Sequence, residues 1–316
     1  MLSISDYCFN PKEPDVMDSE KDFLIIKWDV DSFERAYNER LCDFADVVSI
    51  PSIYDVHCSS KKEKKSRINE SLRCLDHERP LSSYKKIIVF EDMNITWVLR
   101  RFVSNRKNIC LWYWNLIDLG FKDRIKLQLI KRICSAWTFD EKQAKELGIR
   151  HNPQFYIGKP LPAIDSGEDY DQDLFFVGLN KGRKEILKRI SDICAQNGLN
   201  AKIVIAGEKD SNGNITGPMD YSDVIGCIRK SRAILEIGRE DQVGLTVRSL
   251  EALYFNKSLI TNNKQIYEKK YFGPENSYIY DPGDPEGLAE FIRSSKPYYS
   301  SEAYEYYSVK AWLGRF

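Results

Sequence analysis

Short runs of apolar residues alternate with longer amphipathic stretches along most of this chain. Residues 22–28 (DFLIIKW), 47–51 (VVSIP), 85–92 (KKIIVFED), 108–114 (NICLWYW) and 136–140 (AWTFD) are rich in β-branched and aromatic side chains. They are too short for buried helices, so they read as strands. Helical spacing fills the gaps: 31–44, a charged stretch over roughly 61–75, 94–105, 121–135 and 141–148. Asn94 is the expected N-cap of the third helix, and Gly148 closes the last. Residues 157–172 (IGKPLPAIDSGEDYDQ) mix prolines, glycines and acids without periodicity and read as a linker. The alternation then restarts. Strands are expected at 173–178, 201–207, 233–238, 257–261 and 277–281, and helices at 181–196, 221–231, 245–255 and 285–295. The aromatic segment 301–313 (SEAYEYYSVKAWL) has the length of one more helix.

Strands separated by helices of this size form parallel sheets through right-handed crossovers. The expected fold is α/β, with two Rossmann-like parallel-sheet domains, 1–157 and 158–296, facing a cleft. Residues 297–316 would cross back to the first domain. Ligands in such sheets bind outside the carboxyl ends of the strands.

At 316 residues, two domains of ordinary size fit, and 42% hydrophobic residues suffice for their cores. Lys+Arg and Asp+Glu are 47 each, so no global basic field points to nucleic acid. The basic segments 61–65 (KKEKK) and 122–132 (KDRIKLQLIKR) read as solvated faces, with an anionic membrane surface as the alternative. No leader-like run and no stretch of about 18 apolar residues occurs, so a cytoplasmic protein is expected, with room for peripheral association at the inner membrane face. The eight cysteines are scattered without a CxxC pair, and the three histidines have no ligand spacing. That favours free thiols in a reducing compartment and argues against a Cys/His metal site.

The chemistry concentrates in residues 233–262. A strand (AILEIG) leads through a polar loop into a helix opened by Gly244, Leu245 and Thr246, then into a second strand. A helix start attracts phosphate through its free amides and macrodipole. Arg248 lies in the first turn and Glu251 one turn on, where a carboxylate would suit ribose hydroxyls next to a diphosphate. A second glycine-bearing turn, Gly178, Lys181, Gly182 and Arg183, opens the helix after the 173–178 strand. It is neither GxGxxG nor GxxxxGK[ST], so neither a dehydrogenase nor a P-loop NTPase is supported. Glu208 begins a polar loop on the same side, and Tyr221 is placed to stack on a base or to pack.

The second half, with DLFFVG, KGR, YSDVIGCIRKSRAILEI, QVGLTVRSLEAL and KSLITNN, resembles bacterial GT-B glycosyltransferases of lipopolysaccharide core and capsular polysaccharide biosynthesis. AWTFDEKQAKELGIRHNPQFY in the first half also resembles that group, and the likeness spans most of 85–295. The resemblance implies a nucleotide-sugar donor held by the second domain, a glycan or glycolipid acceptor held by the first, and no further cofactor. It matches Glu251 to the ribose-binding glutamate, Gly244, Leu245 and Thr246 to the diphosphate-binding helix start, and Arg248 to a phosphate ligand. Eight positions before Glu251, where many retaining relatives carry an acid, stands Val243. An inverting transfer needs a base at a strand end of the first domain. The candidates are Asp29, Glu91 and Asp92, with Tyr113, Trp114 and Asn115 as acceptor contacts. Asp29 and Asp31 match a DxD metal motif in letters only, so metal independence is expected. A sugar-nucleotide epimerase and a non-catalytic scaffold of the same fold are the alternatives.

Overall fold

A computed structural model describes residues 21–54, 60–118, 120–161, 170–207 and 216–316. The first half runs β1 (Phe23–Lys27), α1 (Ser32–Leu41), β2 (Asp46–Ser49), α2 (Ile50–Ile53), α3 (Lys61–Glu78), β3 (Lys86–Phe90), α4 (Met93–Leu99), β4 (Ile109–Tyr113), α5 (Phe121–Lys131), β5 (Ser135–Thr138), α6 (Glu141–Leu147) and β6 (Arg150–His151). Its six strands pair in the order β2-β1-β3-β4-β5-β6, parallel throughout. The second half runs β7 (Gln172–Leu179), α7 (Lys184–Gln196), β8 (Ala201–Ala206), α8 (Tyr221–Arg229), β9 (Ser231–Glu236), α9 (Val247–Tyr254), β10 (Ser258–Thr261), β11 (Ser277–Ile279) and α10 (Pro285–Ser294). Its five parallel strands are ordered β11-β10-β9-β7-β8.

The strand runs are apolar on both sides because both faces of each sheet are covered. In β1 and β3, Ile25, Ile88 and Phe90 point into one cluster, while Leu24, Ile26, Ile87 and Val89 point into another. The first of these clusters continues without a break into the second half, through Tyr221, Leu245 and Leu250.

The carboxyl-terminal segment does return to the first half, but as two helices, α11 (Ser301–Tyr306) and α12 (Val309–Gly314). Ser308 breaks the run by capping α12, its Oγ accepting the Ala311 amide at 3.2 Å. Trp312, fully buried, lies 4.2 Å from the Phe155 ring and 5.0 Å from Trp112.

Two other expectations shift. The helix expected over 94–105 begins at Met93 and ends at Leu99, because Asp92 is its N-cap: Oδ1 accepts the amides of Asn94 (2.7 Å) and Ile95 (2.8 Å). The helix expected from 181 begins at Lys184, since Lys181 (φ 45°) and Gly182 (φ 80°) are left-handed and cannot continue a right-handed helix.

Candidate active site

On the second half, β9 ends at Glu236, a buried carboxylate. It accepts Ser249 Oγ at 2.7 Å, Thr261 Oγ1 at 2.9 Å and the Thr246 hydroxyl. Thr246 caps α9, with Oγ1 accepting the Arg248 amide at 3.0 Å, while Ser249 reaches back to the Thr246 amide at 3.3 Å. The Thr246 hydroxyl is thus committed to the cap, and Leu245 is buried in the core.

Arg183 sits against this helix start. A Cβ on Gly178 would fall 3.0 Å from Arg183 Nη2, so glycine makes room for the guanidinium, which lies over Phe176 at 5.1 Å. It donates to the carbonyls of Leu179 (2.6 Å) and Ile237 (2.5 Å). Burial and then the neighbouring charge of Arg248 push the Arg183 pKa down, with Glu236 opposing. The two guanidiniums thus lie in each other's field, Arg248 paired with Glu251 and Arg183 held by carbonyls. Lys181 stands exposed at the turn, and Glu208 lies outside the described residues.

The seam between the halves is tighter than the sequence implied. Asp140, fully buried, caps α6 through Oδ1, which accepts the Gln143 amide at 2.9 Å. Its Oδ2 takes the amides of Val243 (2.8 Å) and Gly244 (2.7 Å) across the seam. A Cβ on Gly244 would fall 2.8 Å from the Phe139 carbonyl oxygen and 3.0 Å from Asp140 Cα, so only glycine permits this approach. The Gly244 amide expected to face a phosphate therefore holds a carboxylate of the other half. At the rim, Arg239 donates to Asp118 at 2.6 and 3.1 Å, a second link between the halves.

Glu251 is 1% exposed, accepts the Tyr221 hydroxyl at 3.0 Å and pairs with Arg248. Burial raises its pKa, opposed by Arg248 and then Tyr221. Tyr221 itself is buried, its ring edge-on to Phe33 at 5.1 Å and its amide donating to Ser32 Oγ at 3.0 Å. It packs in the seam rather than offering an open face to a base.

On the first half, the candidate carboxylates separate. Asp92 is occupied by the two α4 amides and by the Tyr54 hydroxyl at 2.5 Å, so it is a helix cap. Asp29, half-buried, lies in the field of Lys27. Glu91 follows the end of β3 with φ 60°, a left-handed conformation that strains a residue with a Cβ and tends to occur at functional sites. Its Oε1 accepts the Asn115 amide at 2.6 Å and Asn115 Nδ2 at 3.1 Å. Burial pushes its pKa up, against the Asn115 and Trp114 donors and Lys27. Glu91 lines a cavity of about 360 Å³ with Asp92, Tyr113, Asn115, Asp123 and Lys126. The Tyr113 hydroxyl is buried there without a hydrogen-bond partner among the described residues. Trp114, expected as a sugar platform, is half-buried, and its ring packs on Tyr37 (5.0 Å), Phe90 (5.6 Å), Phe155 (5.7 Å) and Phe33 (5.8 Å) at the edge of the core.

Sequence reasoning missed Lys27, Asp140 and Glu236. Lys27 carried a signal, a charge where the strand pattern called for an apolar residue. Asp140 carried a weaker one, an acid just before a helix. Glu236, inside AILEIG, was covered by its apolar neighbours.

No protein-family model and no curated protein sequence matches this chain. Among solved structures, it is similar to an alpha-glucosyltransferase in complex with UDP and a 13-mer DNA containing a central A:G mismatch. The TM-score is 0.52 at 11% identity, over 92% of this chain and 94% of that one. It is also similar to sucrose-phosphate synthase from Thermosynechococcus elongatus, with a TM-score of 0.50 at 12% identity over 87% and 89%. At such identities the fold is what is shared, and it is the GT-B arrangement of two parallel sheets.

Proposed function

We propose that this protein is a metal-independent, inverting glycosyltransferase that moves a sugar from a nucleotide-sugar donor to a glycan of the bacterial cell surface. In this reading residues 158–296 bind the donor, and residues 1–157 with the returning tail bind the acceptor. The observation that carries it is Glu91, a strained, half-buried carboxylate lining a cavity in the first half, together with the guanidinium pair at the α9 start of the second. Glu91 takes the proton of the acceptor hydroxyl as that oxygen bonds the anomeric carbon. The bond from that carbon to the diphosphate breaks, and Arg183 and Arg248 take up the leaving charge. Tyr113, whose buried hydroxyl has no hydrogen-bond partner among the described residues, and Asn115 would orient the acceptor. The choice of lipopolysaccharide or capsule as acceptor rests on the sequence resemblance.

A thermal-shift screen against UDP, GDP, CMP, dTDP and their sugars tests the reading. Stabilisation by one nucleotide, with sugar transfer only when a glycan is added, supports it. Interconversion of free nucleotide sugars would make the protein an epimerase, and no response to any would make it a scaffold. Once the nucleotide is known, Arg183→Ala and Arg248→Ala should weaken the nucleoside diphosphate roughly ten- to a hundredfold in calorimetry while changing nucleoside affinity much less. Equal losses for both ligands would remove the two arginines from the phosphate site.

No helix among the described residues is long and apolar enough to cross a membrane. A lipid-linked acceptor would instead meet the protein at α5. Its Ile125 and Leu129 are 49% and 43% exposed beside Lys122, Arg124 and Arg132, and its Asp123 and Lys126 line the cavity. The expected result is co-sedimentation with phosphatidylglycerol vesicles that falls with salt and with Ile125→Ser/Leu129→Ser. Equal binding to phosphatidylcholine, or none to either, would count against this surface.

A further inference from the structure

Lys27 ends β1 with 1% exposure. Its ammonium donates to the Trp28 carbonyl at 3.1 Å, pairs with Glu34, and lies 5.5 Å from the Trp114 ring and 5.8 Å from the Phe90 ring. The β1/β3 register pairs Ile26 with Val89, which brings Lys27 level with Phe90, the residue before Glu91. The charged groups around it are Asp29 and Asp31 on the loop after β1, Glu34 on α1 and Glu91 after β3. Glu91 lies in the field of Lys27 and shares its cavity with Tyr113, Asp92, Asp123 and Lys126. Methionine would fill the Lys27 space without the cost of desolvating a charge. Burial pulls Lys27 down to about 7 despite its anionic neighbours, the cost that such a site imposes.

We propose that Lys27 is a positioning residue whose buried ammonium keeps the Glu91 carboxylate in its proton-accepting form. This rests on the reading of Glu91 as the base. Lys27 touches no substrate and transfers no proton. The proton of the acceptor hydroxyl goes to Glu91, and the Lys27 charge lowers the energy of the ionised Glu91 that must be present beforehand. The Glu34 pair and the Trp28 carbonyl fix where that charge sits, while the Trp114 and Phe90 rings wall it from water.

The test is a carbon-13 NMR titration of the whole chain labelled at glutamate carboxyls and lysine Cε. Glu91 is assigned by the signal lost in Glu91→Gln. In Lys27→Met the Glu91 midpoint should rise, and in Lys27→Arg it should return towards the wild-type value. An unchanged Glu91 midpoint in a folded Lys27→Met overturns the proposal. Should Lys27→Met not fold, the reciprocal measurement decides: Glu91→Gln, by removing an anion, should lower the Lys27 midpoint, and an unmoved midpoint overturns the coupling. Neither readout needs donor or acceptor. Missing transferase activity would therefore count against the proposed reaction, and missing coupling against Lys27.

Discussion

Glu91→Gln should lower kcat by on the order of 10²–10⁴ and leave donor affinity unchanged. The amide keeps the oxygen that accepts from Asn115 but cannot take a proton, so the strained turn and the cavity wall persist without the base. Asp92→Asn is the contrasting variant. It loses charge at a helix cap, so its effect should appear as a lower Tm, within the roughly 0.5–2 kcal/mol that caps contribute, with turnover per folded molecule retained. The pH profile gives an independent check. Protonated Glu91 is inactive as a base, and burial holds its pKa above the ordinary glutamate range. Activity should therefore fall as pH drops through that raised value, giving an acid limb at higher pH than an exposed glutamate would. Wild-type turnover in Glu91→Gln would place the base elsewhere or make the mechanism retaining.

Glu251→Ala should show two losses. Donor affinity should fall about ten- to a hundredfold if the carboxylate binds ribose hydroxyls. Stability should fall as well, because the Arg248 guanidinium and the Tyr221 hydroxyl lose their acceptor inside the seam. Glu251→Gln separates the two: its amide oxygen can still accept from Tyr221, which preserves more of the Tm, while the charge facing Arg248 is gone. Calorimetry with the nucleotide and a melting curve on both variants decide the matter. Unaltered nucleotide affinity in a folded Glu251→Ala would leave Glu251 a purely structural group.

Runs such as FLIIK and ICLWY announced parallel strands because a strand covered on both faces has no polar side to show. The start of α9, with Arg248 and Glu251 a helical turn apart, was legible for the same local reason. What escaped were the contacts between residues far apart in sequence. Asp140 and Gly244 are 104 positions apart, and no periodicity within either segment encodes their meeting. The surroundings of Trp114 at its strand end were equally hidden, because Tyr37 and Phe155, which pack against its half-buried ring, come from distant segments. Glu91 and Asp92 are adjacent in sequence and both line the cavity, yet only Asp92 is taken up by the α4 amides, a contact that adjacency does not reveal.

The Asp140 carboxylate on the Val243 and Gly244 amides is, in effect, a ligand built into the chain. Any anion seeking those amides must first displace it, and a small anion with nothing else to hold gains little from the exchange. On the proposed reading, a nucleoside diphosphate that also engaged Arg183, Arg248 and Glu251 would gain far more from it. The seam would thus act as a threshold, turning away small phosphates and yielding only to a molecule long enough to grip several residues at once.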